Sequence, residues 1–441
     1  GEFGPEVKDF AGKFVKDADP EIIANLKQRG LLFKKESYQH SYPHCWRCSS
    51  PLLYYARESW YIKTTAYAQQ MIDLNKKINW IPKEVGDGRF GNWLEENKDW
   101  ALSRDRFWGT PLPIWVCEQC GQQKCVGSTE EFKKGRNVPQ PLDLHKPFVD
   151  GVTFDCEKCK GTMKRTPELI DVWFDSGSMP FAQWHYPFEN KETFEKSYPA
   201  DYISEGIDQT RGWFYTLHSI GTFLSTRDAF GDKLRDLPAF RNCLVNELIL
   251  DKQGQKMSKS KKNSVDPFEL IRKYGADATR WYLISNSPVW RPTLFDEEGV
   301  AEVQRKFFST LLNTYSFFAL YANVDGFQNA EPRIPASERP EIDRWILSEL
   351  NSLLKDYRAW MDEYDVTRAA RAVRDFTIDH LSNWYVRRNR RRFWKSEKGK
   401  DKTAAYQTLH ECIEAVSKLM APFAPFLADE LYRNLTPSGQ S

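Results

Sequence analysis

Apolar positions change their spacing several times along the 441 residues. A stripe at Ile22, Ile23 and Leu26 is opened by Asp19-Pro20-Glu21 and closed by Gly30, which predicts one helix and a strand-like tail to residue 40. Residues 41–100 mix aromatic strands with a helix near Ala66 to Asn75. From about 110 to 165 the chain turns polar and Gly-rich between Pro111-Leu112-Pro113 and Pro167, the pattern of a small insert. Short apolar runs at 169–174, 202–204 and 244–250 then alternate with helical stretches such as 211–223, which predicts a parallel α/β sheet. Asp266-Pro267-Phe268-Glu269 supplies a cap, a first-turn proline and a capping-box acid, and Gly275 ends that helix.

Beyond about residue 298 strand signals stop. Long amphipathic patterns with few glycines predict a helical bundle, joined across 324–340 by a segment holding Pro332, Pro335 and Pro340. Ala369, Val373, Phe376 and Trp384 form a stripe expected to face its core. The expected fold class is therefore α/β plus all-α.

Composition narrows the class. Hydrophobic residues make up 41% and charged residues 28%, which excludes a disordered or low-complexity chain. No stretch reaches the ~18 apolar residues of a membrane helix, so no membrane association is expected. A net charge of +2 excludes a uniformly basic coat but permits a local basic patch. The chain starts at Gly1 without an initiator Met or signal peptide, so it reads as a segment of a longer protein from a reducing compartment, the cytoplasm.

In that compartment, paired cysteine knuckles bind metal more often than they form disulfides. Cys117-Glu-Gln-Cys120 and Cys156-Glu-Lys-Cys159 supply four thiolates, a closed tetrahedral shell for a structural Zn2+, and a following glycine relieves each tight turn. Cys45-Trp-Arg-Cys48 has no partner knuckle in the sequence; it is half of a second site or a plain turn. Cys125, Cys243 and Cys412 read as small buried hydrophobes.

Two further segments carry chemistry. Lys256-Met257-Ser258-Lys259-Ser260 follows an apolar strand and the turn Asp251-Lys252-Gln253-Gly254. Its lysines and hydroxyls can wrap a polyphosphate and neutralise the charge that grows on a leaving pyrophosphate. A solvated basic loop is the plainer reading, but the preceding strand and the capped helix behind favour phosphate. Residues 387–400 hold eight basic side chains against one acid, Glu397, interleaved with aromatics. That suits a phosphate-tracking surface built from Arg387, Arg388, Arg390, Arg391, Arg392 and Lys395.

The Lys256–Ser260 pentapeptide resembles the signature of the class I aminoacyl-tRNA synthetases. Asn92-Trp93-Leu94, the run from Asp99 to Trp115, His40 to Cys48, Asp171 to Gly177 and Glu205 to Phe214 resemble its isoleucine-charging branch, and Gly109-Thr-Pro-Leu-Pro113 speaks against valine or leucine. The resemblance implies ATP-dependent activation of isoleucine to the adenylate and its transfer to tRNA(Ile). ATP, with substrate-bound Mg2+, would meet Lys256, Met257, Ser258 and Lys259, the two lysines being catalytic. The adenylate would meet Glu205, Gly206, Asp208 and Gln209, with Trp173 and Trp213 as walls of the amino-acid slot. Residues 1–40 would end an editing domain. Residues 41–290 would be the second half of a Rossmann-type catalytic domain with the zinc insert, and 291–441 the helical anticodon-binding domain of a monomer.

The family's other signature, His-Ile-Gly-His, does not occur among the seven histidines. The expectation is a partial chain, its first fold half and the partner of Cys45/Cys48 lying upstream, that keeps zinc and some tRNA affinity but not adenylation. A competing expectation is a non-catalytic tRNA- or RNA-binding zinc protein derived from a synthetase. The intact 256–260 and 205–209 segments weigh against it.

Overall fold

The computed structural model describes the chain except residues 46–47, 55, 228, 230, 232–233, 259–261, 330–331, 395–396, 398 and 437–441. The expected Lys259 and Lys395 contacts therefore lie outside the described residues.

A three-stranded parallel sheet organises the first half. Phe240–Asn246 is its centre, flanked by Ala200–Gly206 and Asn79–Ile81. The register runs from Ala200↔Phe240 to Gly206↔Asn246 on one side and from Asn242↔Asn79 to Leu244↔Ile81 on the other. The centre strand buries Phe240 and the consecutive Cys243, Leu244 and Val245, the burial on successive residues that a strand covered on both faces requires. Helices Ala68–Asn75 and Trp213–Ser225 pack against it through Met71, Phe214, Leu217 and Ile220. His218 lies inside this core with Nε2 2.8 Å from the Met71 carbonyl, and complete burial holds its pKa down to about 4.

The expected alternation holds, with corrections. The run at 169–174 adds no strand to this sheet. Leu169–Ile170 pairs antiparallel with Ser103–Arg104, and Asp171 accepts the Trp173 amide to start the helix Val172–Gly177. The run at 244–250 is split, its end Ile249–Leu250 pairing in parallel with Thr293–Leu294. The first helix spans Val15–Gln28 rather than starting at Asp19, so Pro20 lies inside it; Gly30, at φ +67°, follows its end as expected.

The insert is a four-stranded antiparallel sheet in the order Gln123–Cys125, Ile114–Cys117, Thr162–Arg165, Thr153–Asp155. It has its own core, centred on Trp115, whose Nε1 donates to the Val152 carbonyl at 2.8 Å.

The bundle comprises Ser309–Asp325, Glu341–Asp362, Val366–Asp375, Arg387–Trp394, Lys400–Met420 and Pro425–Leu435. Leu270 and Trp281, from Pro267–Tyr274 and Ala276–Ser285, belong to its apolar core. These helices thus share an apolar core with the bundle. Asp266 caps the first of them, accepting the Phe268 amide at 2.8 Å, as its sequence demands. Asp277 caps a different helix: it accepts the Leu427 amide at 2.7 Å, at the start of Pro425–Leu435. The expected apolar stripe fails at Trp384, which is 50% exposed, while Ala369, Val373 and Phe376 are buried. Phe376–Val386 is wound as a π-helix, and its wider turns bring Tyr385 to the core instead.

Candidate active site and metal centre

In a parallel sheet, ligands gather beyond the carboxyl ends of the strands. Ala200–Gly206 ends there in an exposed Glu205 and in Gly206. The chain turns through Ile207–Arg211 and enters helix Trp213–Ser225. Gln209 fastens the turn: its Oε1 accepts the Trp213 amide at 2.9 Å and its Nε2 donates to Asp208 Oδ2 at 3.0 Å. Helix Val172–Gly177 packs on the same helix, so tightly that a Cβ on Gly177 would lie 2.9 Å from the Thr216 backbone. The Trp213 indole donates to the Ser176 carbonyl at 3.2 Å. A Cβ on Gly212 would sit 2.6 Å from Gln209 Oε1 and 3.1 Å from the Trp173 ring. Trp173 and Gln209 thus close on Gly212, which has no side chain to separate them. Asp171 anchors this wall, accepting from Arg104 at 2.7 Å and from the Trp100 indole at 3.1 Å.

The 256–258 segment leaves the same end of the sheet, because it follows the carboxyl end of Phe240–Asn246. Leu250 and Lys256 form an antiparallel bridge across a turn in which Gly254 has φ +77°, a conformation that favours glycine. The Lys256 side chain is exposed, while Met257 packs against the apolar core of the bundle. Asp251 and Asn263 bind the two ends of the segment together. The sequence marks Asp251-Lys-Gln-Gly254 as a turn, but the link from Asp251 to Asn263 carries no signal in it.

Cys117, Cys120, Cys156 and Cys159 come together as expected, with their sulfurs within 4.8 Å of one another. Cys117 and Cys159 are 3.4 Å apart, and Cys120 and Cys156 3.6 Å. Zn–S bonds of about 2.3 Å in a tetrahedron place sulfurs about 3.8 Å apart, so the donor set fits Zn2+. The Cys120 backbone amide draws the Cys117 thiol down to about 7. At Cys159 the Gly161 amide favours the thiolate, but hydrogen bonds shared with the other three sulfurs outweigh it and push the pKa up to about 12. Crowded thiols cannot all ionise without a cation among them.

One detail of the knuckles departs from expectation. The left-handed residue is Gly121 in the first, at φ +70°, but Lys160 in the second, at φ +62°. Gly161 packs instead against the Gln119 side chain, which a Cβ there would meet at 2.7 Å and displace. Cys45, Ser49 and Ser50 make the same pair of backbone hydrogen bonds as these knuckles. The Cys45 amide donates to Ser50 O, the Ser49 amide donates to Cys45 O, both at 2.8 Å, and Ser49 has φ +57°. The matching bonds elsewhere are Cys117 to Gln122 and Gly121 to Cys117, and Cys156 to Gly161 and Lys160 to Cys156.

On the basic helix Arg387, Arg388, Arg390 and Arg391 are exposed, and the Arg388 guanidinium lies 4.7 Å from the centre of the Trp384 ring. Arg392 is a correction. Its side chain is 15% exposed and points inward, donating to Asp343 at 2.7 and 2.9 Å and pairing with Asp401. Asp343, fully buried, also accepts the Tyr385 hydroxyl at 2.7 Å. Burial, with the Asp343 charge beside it, holds the Tyr385 phenol well above its usual pKa, so it stays a donor.

Known proteins resolve what this arrangement belongs to. The family described as tRNA synthetases class I (I, L, M and V) matches residues 6–296, and the anticodon-binding domain of tRNA ligase matches 343–441. An isoleucine–tRNA ligase of Cytophaga hutchinsonii is 53% identical over 99% of this chain and 41% of its own length. One from Thermus thermophilus is 51% identical over 98% of this chain and 40% of its own. The chain thus spans about two fifths of the length of these curated relatives. Among solved structures, a leucyl-tRNA synthetase of Agrobacterium radiobacter K84, in a ternary complex with tRNA and LeuAMS, superimposes with a TM-score of 0.59 at 21% identity. It covers 80% of this chain and 44% of that one. Mycobacterium tuberculosis methionyl-tRNA synthetase with methionyl-adenylate gives 0.60 at 18% identity, over 88% and 65%. These two show a shared fold. By the family match over most of its length, and by the half-sheet, insert and bundle it displays, the chain belongs to the tRNA synthetases of class I (I, L, M and V).

Proposed function

We propose that this chain is part of an isoleucine–tRNA ligase. The observation that carries the reading is the convergence at the carboxyl end of the parallel sheet. Glu205, Gly206, Asp208 and Gln209 follow the end of Ala200–Gly206 with Trp173 against them, and the 256–258 segment follows in the chain from the neighbouring strand Phe240–Asn246. Identity of about half to isoleucine–tRNA ligases over nearly the whole chain supports the choice of amino acid.

In this reading the isoleucine carboxylate attacks the α-phosphate of ATP, the bond to the β-phosphate oxygen breaks, and pyrophosphate leaves with its Mg2+. The terminal hydroxyl of tRNA(Ile) then takes the isoleucyl group and AMP leaves. Glu205 holds the substrate ammonium, and the indoles of Trp173 and Trp213 shape the apolar slot. Lys256, Ser258 and the Met257 backbone, with Lys259, meet the ATP phosphates as charge builds on the leaving group. Such a slot separates isoleucine from valine by only about 1–3 kcal/mol, which leaves room for an editing domain ending in residues 1–40.

Zn2+, held by Cys117, Cys120, Cys156 and Cys159, supplies a closed structural cross-link to the insert. Cys45 and Cys48 form half of a second site whose remaining ligands lie elsewhere. Arg387, Arg388, Arg390 and Arg391 track tRNA phosphates. The protein works as a cytoplasmic monomer, where thiols stay reduced.

Charging of tRNA by the full-length protein tests this. The reading expects stable isoleucyl-tRNA and little valyl- or leucyl-tRNA. Preferred charging with leucine or valine would overturn it, and RNA binding without any charging would leave a non-catalytic binder.

A further inference from the structure

The turn before Lys256 and Asn263, five residues beyond Ser258, are joined by one side-chain pair. Asp251 Oδ1 accepts the amides of Gln253 at 3.0 Å and Gln255 at 2.8 Å. Its other oxygen, Oδ2, accepts Asn263 Nδ2 at 2.7 Å. The Asn263 amide then behaves as a short piece of backbone. Its oxygen accepts the Ser258 amide at 2.9 Å, and its nitrogen also reaches the Lys256 carbonyl at 3.3 Å. One side chain thus takes up the backbone on both sides of Met257.

This pair is fixed to the body of the protein. Leu250, next to Asp251, lies in the strand paired with Thr293–Leu294, and its carbonyl accepts the Phe295 amide at 2.8 Å. Lys252 binds Asp296 at 2.7 Å. Asp251 N donates to Gln255 O at 2.9 Å, closing the turn. The turn is therefore rigidly seated, and Asn263 transmits that seat to the backbone of Lys256 and Ser258.

We propose that Asn263, held by Asp251, is a positioning residue for the adenylation step: it sets the backbone from which the Lys256 side chain reaches the ATP phosphates. The proposal rests on the ligase reading above. The Asn263 amide is taken up by Asp251, Lys256 and Ser258, so its removal misplaces a group that acts as charge develops and leaves the amino-acid slot intact. A misplacement of about 1 Å in a reacting group can cost about 100-fold.

The experiment is isoleucine-dependent ATP–pyrophosphate exchange by the full-length protein, with amide hydrogen exchange of residues 255–258 on the same samples. Asn263→Ala is expected to lower kcat about 10- to 100-fold, to leave KM for isoleucine within about twofold, and to speed amide exchange at Ser258. Asn263→Asp alone sets two carboxylates against each other and loses at least as much. In the double variant Asp251→Asn/Asn263→Asp, residue 251 donates the hydrogen bond and residue 263 still accepts the Ser258 amide, but the bond to the Lys256 carbonyl is lost, so only part of the rate returns. Faster Ser258 exchange with an unchanged kcat would overturn the proposal. So would a double variant no faster than Asn263→Asp, or a rise in KM for isoleucine matching the loss of rate. No exchange by the unsubstituted protein would instead defeat the ligase reading itself.

Discussion

Arg392 belongs by sequence to a basic run and by structure to a buried ion pair, and the two roles have different consequences. Its guanidinium gives two hydrogen bonds to Asp343, one to Asn389 Oδ1 at 3.0 Å, and pairs with Asp401. Arg392→Ala leaves the Asp343 carboxylate fully buried with the Tyr385 hydroxyl still on it but no positive charge beside it. Removing one partner of a buried pair typically costs about 3–5 kcal/mol. The upper part of that range applies, because Asp343 is the more deeply buried partner and keeps one neutral donor. With a urea m-value of about 2 kcal/mol/M, the unfolding midpoint falls by about 2 M. Asp343→Ala costs less, about 3 kcal/mol, since Arg392 is left with Asp401 while the buried Tyr385 hydroxyl loses its acceptor. Urea unfolding followed by far-ultraviolet circular dichroism reads both variants, because helices dominate the signal. Arg388→Ala is the control: its side chain is exposed, so it should leave the midpoint in place, weaken RNA binding, and reduce the slope of log affinity against log salt by about 1. An Arg392→Ala variant with an unshifted midpoint and a salt slope reduced like that of Arg388→Ala would refute this division of labour.

Other outcomes follow from the same geometry. Cys156→Ser should abolish zinc binding by the insert and expose Trp115, whereas Cys45→Ser leaves that ion in place; atomic absorption with tryptophan fluorescence checks both. Asp277→Ala removes the acceptor of the Leu427 amide and should cost about 1–2 kcal/mol, read as faster amide exchange in the first turn of Pro425–Leu435. His218 is buried neutral, with its pKa held near 4 against about 6.5 in an unfolded chain. The stability it contributes is complete above about pH 6.5 and is lost as pH falls towards 4, up to about 3 kcal/mol. His218→Gln should remove the pH dependence of stability across that window, whatever the constant cost of repacking the core.

Much of the architecture was legible because burial wrote it into the chain. The Asp266-Pro267 cap, the Gly30 terminus and the apolar run of the centre strand each answer one local requirement, and each stands where the residues put it. The four insert cysteines were equally plain, since metal spacing is a short-range constraint. What escaped depended on partners far along the chain. Asn79–Ile81 is three residues long and is a strand only because Asn242, Cys243 and Leu244 lie beside it. Arg392 resembles its neighbours until Asp343, forty-nine positions earlier, draws it inward. Trp384 lost its place in the core to a π-helical turn that a 3.6-residue period does not encode. At the candidate site the same division holds. Glu205 to Gln209 stood out by motif, but the role of Gly212 in letting the Trp173 ring approach Gln209 became visible only from the packing of two helices.

The most direct test of the ligase reading is pyrophosphate exchange by the full-length protein with isoleucine, compared with its Glu205→Gln variant at matched fold. The account expects exchange that depends on isoleucine and falls at least about 100-fold in the variant, with the loss concentrated in the amino-acid-dependent rate. Equal exchange by the two proteins would contradict the placement of the substrate ammonium at the end of the parallel sheet.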